Sequence, residues 1–416
     1  MARRDTPSRT GHDKARARRE LIRAVYLPTV VMALAEGMLV PVLPLYVAEL
    51  GAGFALVGLA LAAEAIGMLL ADVPAGSVLR RLDRKVVMLT GVGLVGASVA
   101  LVPLVGSVAA VIALRLAAGV GATLWGLSRH AYLTEVVPSA ARGRSIAAFG
   151  GAQRIGMLLG PALGGVIAAA FGFAAAFAAF GLVSVVAFAL CALFLEPRGD
   201  AGHASPRQRL GHREALRRVL VEQRRLLLVA GAGQLMAQMI RSGRRIVLPL
   251  YGAVALGLDV QAIGWVLSVA ALFDVALFPL AGVIMDRWGR KWAIVPCFAV
   301  QAVGMALVPL SGGFIGLAVA GAVIGIGNGL GSGTMMTLAS DLAPADTIGE
   351  FLGVWRLIGD AGATGGPVAV GAIADLVTLT SATLLIAAVG FGAAAVFAFA
   401  VPETHRRGPP APTRLA

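Results

Sequence analysis

Apolar residues fall along this chain in long blocks, not in the alternation of a half-buried strand or the narrow stripe of a surface helix. Twelve blocks, at 24–48, 54–78, 86–105, 107–130, 144–170, 172–195, 226–254, 260–284, 292–310, 313–340, 348–375 and 378–402, are each long and apolar enough for a helix to cross a bilayer, which takes about 20 residues. The pattern predicts an all-α membrane protein with twelve transmembrane helices. Composition agrees: of 416 residues, 58% are hydrophobic and 14% charged, and the mean hydropathy is +0.85, values that a water-exposed surface does not allow.

The formal charge of +13 changes this picture only through its placement. Lys and Arg gather in 1–23, in the loops at 79–86, 129–145, 196–225 and 286–291, and after 402. The other connections, near 49–53, 104–107, 170–173, 255–259, 310–313 and 375–378, contain neither. The bias of basic residues toward the inner face then expects both termini in the cytoplasm of an inner (plasma) membrane. It leaves no need for a nucleic-acid partner. Residues 1–23 are too polar for a signal-peptide core and read as a cytoplasmic tail in reach of anionic lipid. Cys191 and Cys297 lie in apolar surroundings and suggest neither a disulfide framework nor a metal site.

The chain repeats itself. A shift of 206 residues brings Ala100-Leu101-Val102-Pro103-Leu104 onto Ala306-Leu307-Val308-Pro309-Leu310, and Gly160-Pro161 onto Gly366-Pro367. At a shift of 205, Leu43-Pro44-Leu45-Tyr46 meets Leu248-Pro249-Leu250-Tyr251. Six spans per repeat start and finish on one side, so the two halves are expected to be related about the membrane normal, with a substrate site near the midplane. The expected organisation is a basic tail (1–23), an N-terminal six-helix bundle (24–195), a cytoplasmic linker (196–225), a C-terminal six-helix bundle (226–402) and a second tail (403–416).

Between the eighth and ninth spans runs Gly282-Val283-Ile284-Met285-Asp286-Arg287-Trp288-Gly289-Arg290-Lys291. It resembles the Gly-x-x-x-Asp-Arg-x-Gly-Arg-Lys loop of the major facilitator superfamily. The first-half copy keeps Gly76, Arg81, Arg84 and Lys85 but has Arg80 in place of the acid and Asp83 in place of the second glycine. In the fifth span, Gly156, Gly160, Pro161, Gly164 and Gly165 are similar to the Gly-x-x-x-Gly-Pro-x-x-Gly-Gly signature of proton-coupled antiporters in that superfamily. Small residues at such spacing also let two helices pack closely, and Gly362, Gly366 and Pro367 repeat most of the pattern in the eleventh span. Arg115, Gly119 and Gly121 resemble an Arg-x-x-x-Gly-x-Gly pattern whose arginine is associated with proton coupling. The resemblance implies the major facilitator fold, two pseudo-symmetric six-helix bundles, and a transporter in place of an enzyme.

Ionisable residues inside spans are costly and so mark candidate functional positions. Glu36, Glu64, Arg154, Arg241, Arg244, Arg245, Asp274 and Asp360 fall near mid-depth, with Asp72 toward the cytoplasm and Arg115 toward the outside. Glu36 has no basic residue within a turn, and Arg115 is its expected partner. Arg356 and Asp360 are spaced to pair along one helix. At least one arginine of the seventh span is expected to pair with an acid such as Asp274. In the gating loops, Arg287, Gly289, Arg290 and Lys291 follow Asp286, which is expected to meet Arg144, while Arg80 is expected to meet Glu350. Each pair exchanges sign across the repeat.

The leading expectation is a monomeric, proton-coupled antiporter that exports small amphiphilic or drug-like molecules by alternating access. The alternative is proton-coupled movement, by symport or export, of an anionic metabolite or amphiphile. No cofactor is implied beyond a proton gradient, and no Gly-x-x-x-x-Gly-Lys-Ser/Thr loop for nucleotide phosphates is present.

Overall fold

A computed structural model describes residues 21–79, 82–136, 142–195, 209–344 and 346–404. Among them every element is helical. The helices are α1 (Leu27–Glu49, after a π-helical turn Ile22–Tyr26), α2 (Phe54–Leu79), α3 (Arg84–Ala100), α4 (Val108–Val136), α5 (Arg142–Phe171) and α6 (Phe173–Phe194). A short helix α7 (Arg209–Glu222) precedes α8 (Arg224–Leu250), α9 (Val260–Arg287), α10 (Arg290–Leu307), α11 (Phe314–Leu330), α12 (Thr334–Leu342), α13 (Ile348–Leu376) and α14 (Leu379–Ala395). Counting α11 and α12 as one broken span, the described residues form twelve spans, and eleven of them are long and apolar enough by composition to cross a membrane. The twelfth is α8, where Gln234, Gln238, Arg241, Arg244 and Arg245 dilute the apolar run.

The chain packs as two compact units. In the first, α1 lies against α5 and α6, and α3 against α4 and α6. The second repeats this scheme: α8 lies against α13 and α14, and α10 against α11 and α14. The shared glycine pattern explains the closest pairs. A Cβ on Gly160 would lie 2.6 Å from the Gly37 Cα, and one on Gly156 2.5 Å from the Leu34 nitrogen, so α5 meets α1 backbone to backbone. In the second unit Gly362 lies against the Leu235 carbonyl and Gly366 against Ser242, so α13 meets α8 in the same way. With lipid as solvent this close packing, not water exclusion, holds helices together.

By packing, the first turns of α2, Gly51–Ala62, belong with the second unit, although the sequence assigns all of α2 to the first bundle. The Asp375 carboxylate at the end of α13 accepts the N–H groups of Phe54 and Ala55, both at 2.8 Å. It thereby fills two of the four donors that a helix start leaves open.

The tenth span is expected to be continuous over 313–340 but breaks between α11 and α12, with Gly333 at φ 75°. Gly333 supplies the left-handed conformation that the break requires. Backbone freed inside a membrane must find partners. Here the Gly331 carbonyl accepts from the Thr334 hydroxyl at 2.7 Å and from the Arg241 guanidinium at 3.0 Å.

The two loop motifs differ for a local reason. Gly289 has φ 120°, and the N–H groups of Arg290 and Lys291 that open α10 donate to the Glu403 carboxylate at 2.9 and 3.0 Å. Asp83 occupies the repeat position of Gly289 and accepts the Lys85 N–H at 2.7 Å. One helix start is capped from a distance by the chain end, the other by its own preceding residue. Gly76 and Gly282 are expected to permit close approach. In this structure a Cβ on either meets no atom of the described residues within 4 Å.

Candidate functional site

Arg115 on α4 is 7% exposed, and its guanidinium is paired with the Glu64 carboxylate on α2. The close approach that allows this is made by Gly119, which lies against the Glu64 carbonyl, and Gly67, which lies against the Leu116 carbonyl. The expected pairing of Arg115 with Glu36 is therefore corrected. Both carboxylates are half-buried, but α2 presents its acid one tight helix contact away, whereas Glu36 projects from α1.

Glu36 instead lies in electrostatic reach of Arg129. The sequence placed Arg129 at the start of a cytoplasmic loop, yet α4 continues to Val136 and carries it as a helical residue, 9% exposed. Its guanidinium lies beside two rings, 4.8 Å from the Trp125 centroid and 4.2 Å from that of Phe149. Its Nη1 reaches the Thr29 hydroxyl at 3.4 Å, and its Nε is buried with no hydrogen-bond acceptor. The available signal was Trp125, one turn earlier on the same helix, a spacing at which an aromatic and an arginine meet. His130 follows it, with its Nδ1 2.8 Å from the Gly126 carbonyl and its ring edge-on to Phe149 at 5.4 Å. Arg129, His130, Leu133 and Phe149 line a small cavity.

In the second unit the arginines of α8 separate around the helix, as their spacing requires. Arg241 and Arg244 are half-buried and Arg245 is exposed. Arg241 does not reach Asp274: it donates to Gly331, lies 5.2 Å from the Phe298 ring centroid and has Cys297 Sγ at 3.9 Å. It caps a helix break. The Asp274 carboxylate on α9 accepts from the Asn328 amide on α11 at 2.7 Å. Arg356 and Asp360 form the expected pair along α13, at 3.6 Å. Asp72 on α2 and Arg154 on α5 are half-buried.

Arg290 in the gating loop of the second unit bonds Asp341 at 2.9 Å and Asp286 at 3.3 Å, while Lys291 donates to the Ala398 carbonyl at 2.8 Å. Asp286 and Arg287 are exposed, and Arg84, Lys85 and Glu350 half-buried. Arg80, Arg81 and the side chain of Arg144 lie outside the described residues. Both inter-half ion pairs expected from the sequence involve one of these. Among the described residues no group of His, Cys, Asp and Glu could hold a metal ion.

A family model described as Major Facilitator Superfamily matches residues 25–243 and 230–415. An uncharacterized MFS-type transporter of Methanocaldococcus jannaschii is 21% identical over 86% of this chain and 92% of its own. An MFS-type efflux transporter of Aspergillus flavipes is 31% identical, but over 27% of this chain and 20% of its own. Among solved structures, a bacterial homolog of the human lysosomal transporter Spinster, inward-facing and unoccupied, aligns over 92% of this chain and 96% of its own at TM-score 0.71 and 14% identity. The nucleoside transporter NupG aligns over 92% and 98% at TM-score 0.73 and 12% identity. A POT family transporter in complex with 5-aminolevulinic acid aligns over 92% and 95% at TM-score 0.73 and 12% identity. With its helices repeated in two units, its loop motif and a family match running from residue 25 to 415, this chain belongs to the Major Facilitator Superfamily, and it is a multi-pass membrane transporter of small molecules.

Proposed function

We propose that this transporter is proton-coupled and that Glu36 carries the proton, with movement by alternating access, both termini cytoplasmic and a monomer as the working unit. One observation carries the reading: a half-buried carboxylate on α1 within electrostatic reach of a buried arginine that has no salt-bridge partner among the described residues. Buried carboxylates resist ionisation, and a nearby cation reverses that, so small changes around the pair move the proton on or off. The sense of coupling then follows the charge of the cargo. A cation competes with the proton for Glu36 and is exported by antiport, whereas an anion competes with Glu36 for Arg129 and moves together with the proton.

The fifth-span motif that favoured antiport carries less weight, because its glycines are occupied in packing α5 on α1, and the matching glycines pack α13 on α8. Arg241 is engaged at the break between α11 and α12 and so adds no weight to an anionic cargo. The experiment is transport in proteoliposomes under an imposed pH gradient, screened with lipophilic cations, neutral drugs and organic anions. Glu36→Gln should remain folded, retain downhill flux and lose its response to the gradient. Gradient-driven transport at the wild-type rate in Glu36→Gln would refute the assignment.

A further inference from the structure

We propose that Arg129, beside Trp125 and Phe149, is the seat of a carboxylate group on the transported molecule. This rests on the transport reading above and adds the chemical class of the cargo.

A guanidinium has two flat faces and an edge bearing five N–H donors. Around Arg129 two aromatic rings have their centroids 4.8 and 4.2 Å from the guanidinium carbon, within cation–π reach, and polar partners must come to its N–H groups. Among the described residues that edge makes one contact, at 3.4 Å to a hydroxyl that itself donates to the Val25 carbonyl at 2.6 Å, and its buried Nε has no acceptor. Other buried or half-buried arginines, Arg115, Arg241 and Arg290, engage their terminal nitrogens with carboxylates or backbone, while the Nε of Arg115 and of Arg241 is, like that of Arg129, without an acceptor among the described residues. Arg115 holds Glu64, and Arg290 holds Asp341 and Asp286. A buried donor left open costs free energy unless something fills it in the working cycle.

The cavity beside it, bordered by His130 and Leu133, has room for about one water-sized group, which one oxygen of a carboxylate can take but a whole cargo cannot. Carboxylate is the partner whose two oxygens match the fork of a guanidinium edge. Glu36 provides the counter-charge at a distance when the seat is empty. Protonation of Glu36 removes that counter-charge and strengthens the hold on an incoming anion, so proton and carboxylate load together.

The test uses purified full-length protein in detergent, with octanoate and its neutral amide, octanamide, as probes and tryptophan fluorescence as readout. Octanoate should change the fluorescence saturably and octanamide should not. The signal should vanish in Trp125→Phe. Arg129→Gln should weaken octanoate by about tenfold or more, as loss of a charge-assisted pair does, while Glu36→Gln should tighten it several-fold. These opposite shifts are not what a merely structural arginine would produce. Equal binding of octanoate and octanamide by the wild-type protein overturns the proposal whether or not Arg129→Gln folds. So does a fluorescence change retained in Trp125→Phe, or unweakened binding in folded Arg129→Gln. Loss of the carboxylate seat with Glu36-dependent transport of some other cargo intact would remove this inference and leave proton coupling standing. Octanoate binding at Arg129 with gradient response unaltered in Glu36→Gln would do the reverse.

Discussion

Replacing Glu64 by glutamine removes the charge that faces Arg115 while keeping the shape of the side chain. The Arg115 side chain is 8% exposed and that of Glu64 28%, so the variant leaves an arginine inside the first unit without its ion. Breaking a buried pair at one end costs about 3–5 kcal/mol. Two features of the site lower this figure: Glu64 is partly open, and the glutamine carbonyl still accepts one hydrogen bond, about half as strong as a charge-assisted one. The expected loss is about 2–3 kcal/mol, read as a shift in unfolding midpoint in mixed micelles of rising SDS fraction. A companion variant, Glu64→Leu with Arg115→Met, removes both charges and should be neutral or more stable, since apolar replacement of buried pairs commonly is. If Glu64→Gln unfolds within about 0.5 kcal/mol of wild type, the pair is not desolvated as the geometry implies and the reasoning fails. The companion also decides the role of the pair. A stable double variant that still answers a pH gradient makes the pair structural, and a stable but uncoupled one makes it part of proton transfer.

Gly160→Leu should prevent α5 from seating on α1, because even a Cβ would lie 2.6 Å from the Gly37 Cα; it should abolish the monodisperse elution peak, while Gly150→Ala, where a Cβ meets no atom of the described residues within 4 Å, leaves it intact. Asp375→Ala should uncap α2 at a cost of about 1 kcal/mol, seen as amide exchange at Phe54 and Ala55 faster by roughly fivefold; unchanged exchange there would show that the two 2.8 Å bonds do not persist in the membrane.

Much of the architecture is legible in the sequence because lipid imposes a strict rule: helices must be long, apolar and self-satisfied. That is why span positions and the repeat can be read directly, and why Arg356 and Asp360, a pair local to one helix, could be matched. Partners across helices could not. Depth along a span does not tell which way a side chain points, so Arg115 was given to Glu36 when α2 held the nearer acid. The limit of a span is equally hidden when a helix runs past the apolar block. Arg129 looked like loop because basic residues crowd this end, yet α4 extends to Val136 and the aromatic rings make the buried arginine tolerable. The break in the tenth span had a visible sign in Gly329, Gly331 and Gly333, but the arginine that caps it comes from another helix.

The repeat separates scaffold from chemistry. At the shift of 206, Gly119 corresponds to Gly325 and Glu64 to Ala270, and the same contact recurs, with Gly119 against the Glu64 carbonyl and Gly325 against the Ala270 carbonyl. The backbones meet alike in both units, whereas the ion pair is replaced by Ala270 and Gly321. Arg115 and Glu64 are thus not required for the helices to meet. The neighbouring contact exchanges large for small. Gly91 faces the backbone of Trp125 in the first unit, and in the second the matched positions are Cys297 and Gly331, with the thiol against the glycine. A tryptophan at position 125 gives the first unit a ring for Arg129. Gly331 at the matched position gives the second unit a carbonyl, at the helix break, that takes up Arg241, the repeat partner of Glu36 at the shift of 205. The first unit thus holds a buried arginine beside two aromatic rings and the second a half-buried arginine engaged on backbone, and the seat proposed at Arg129 places the chemistry at the former.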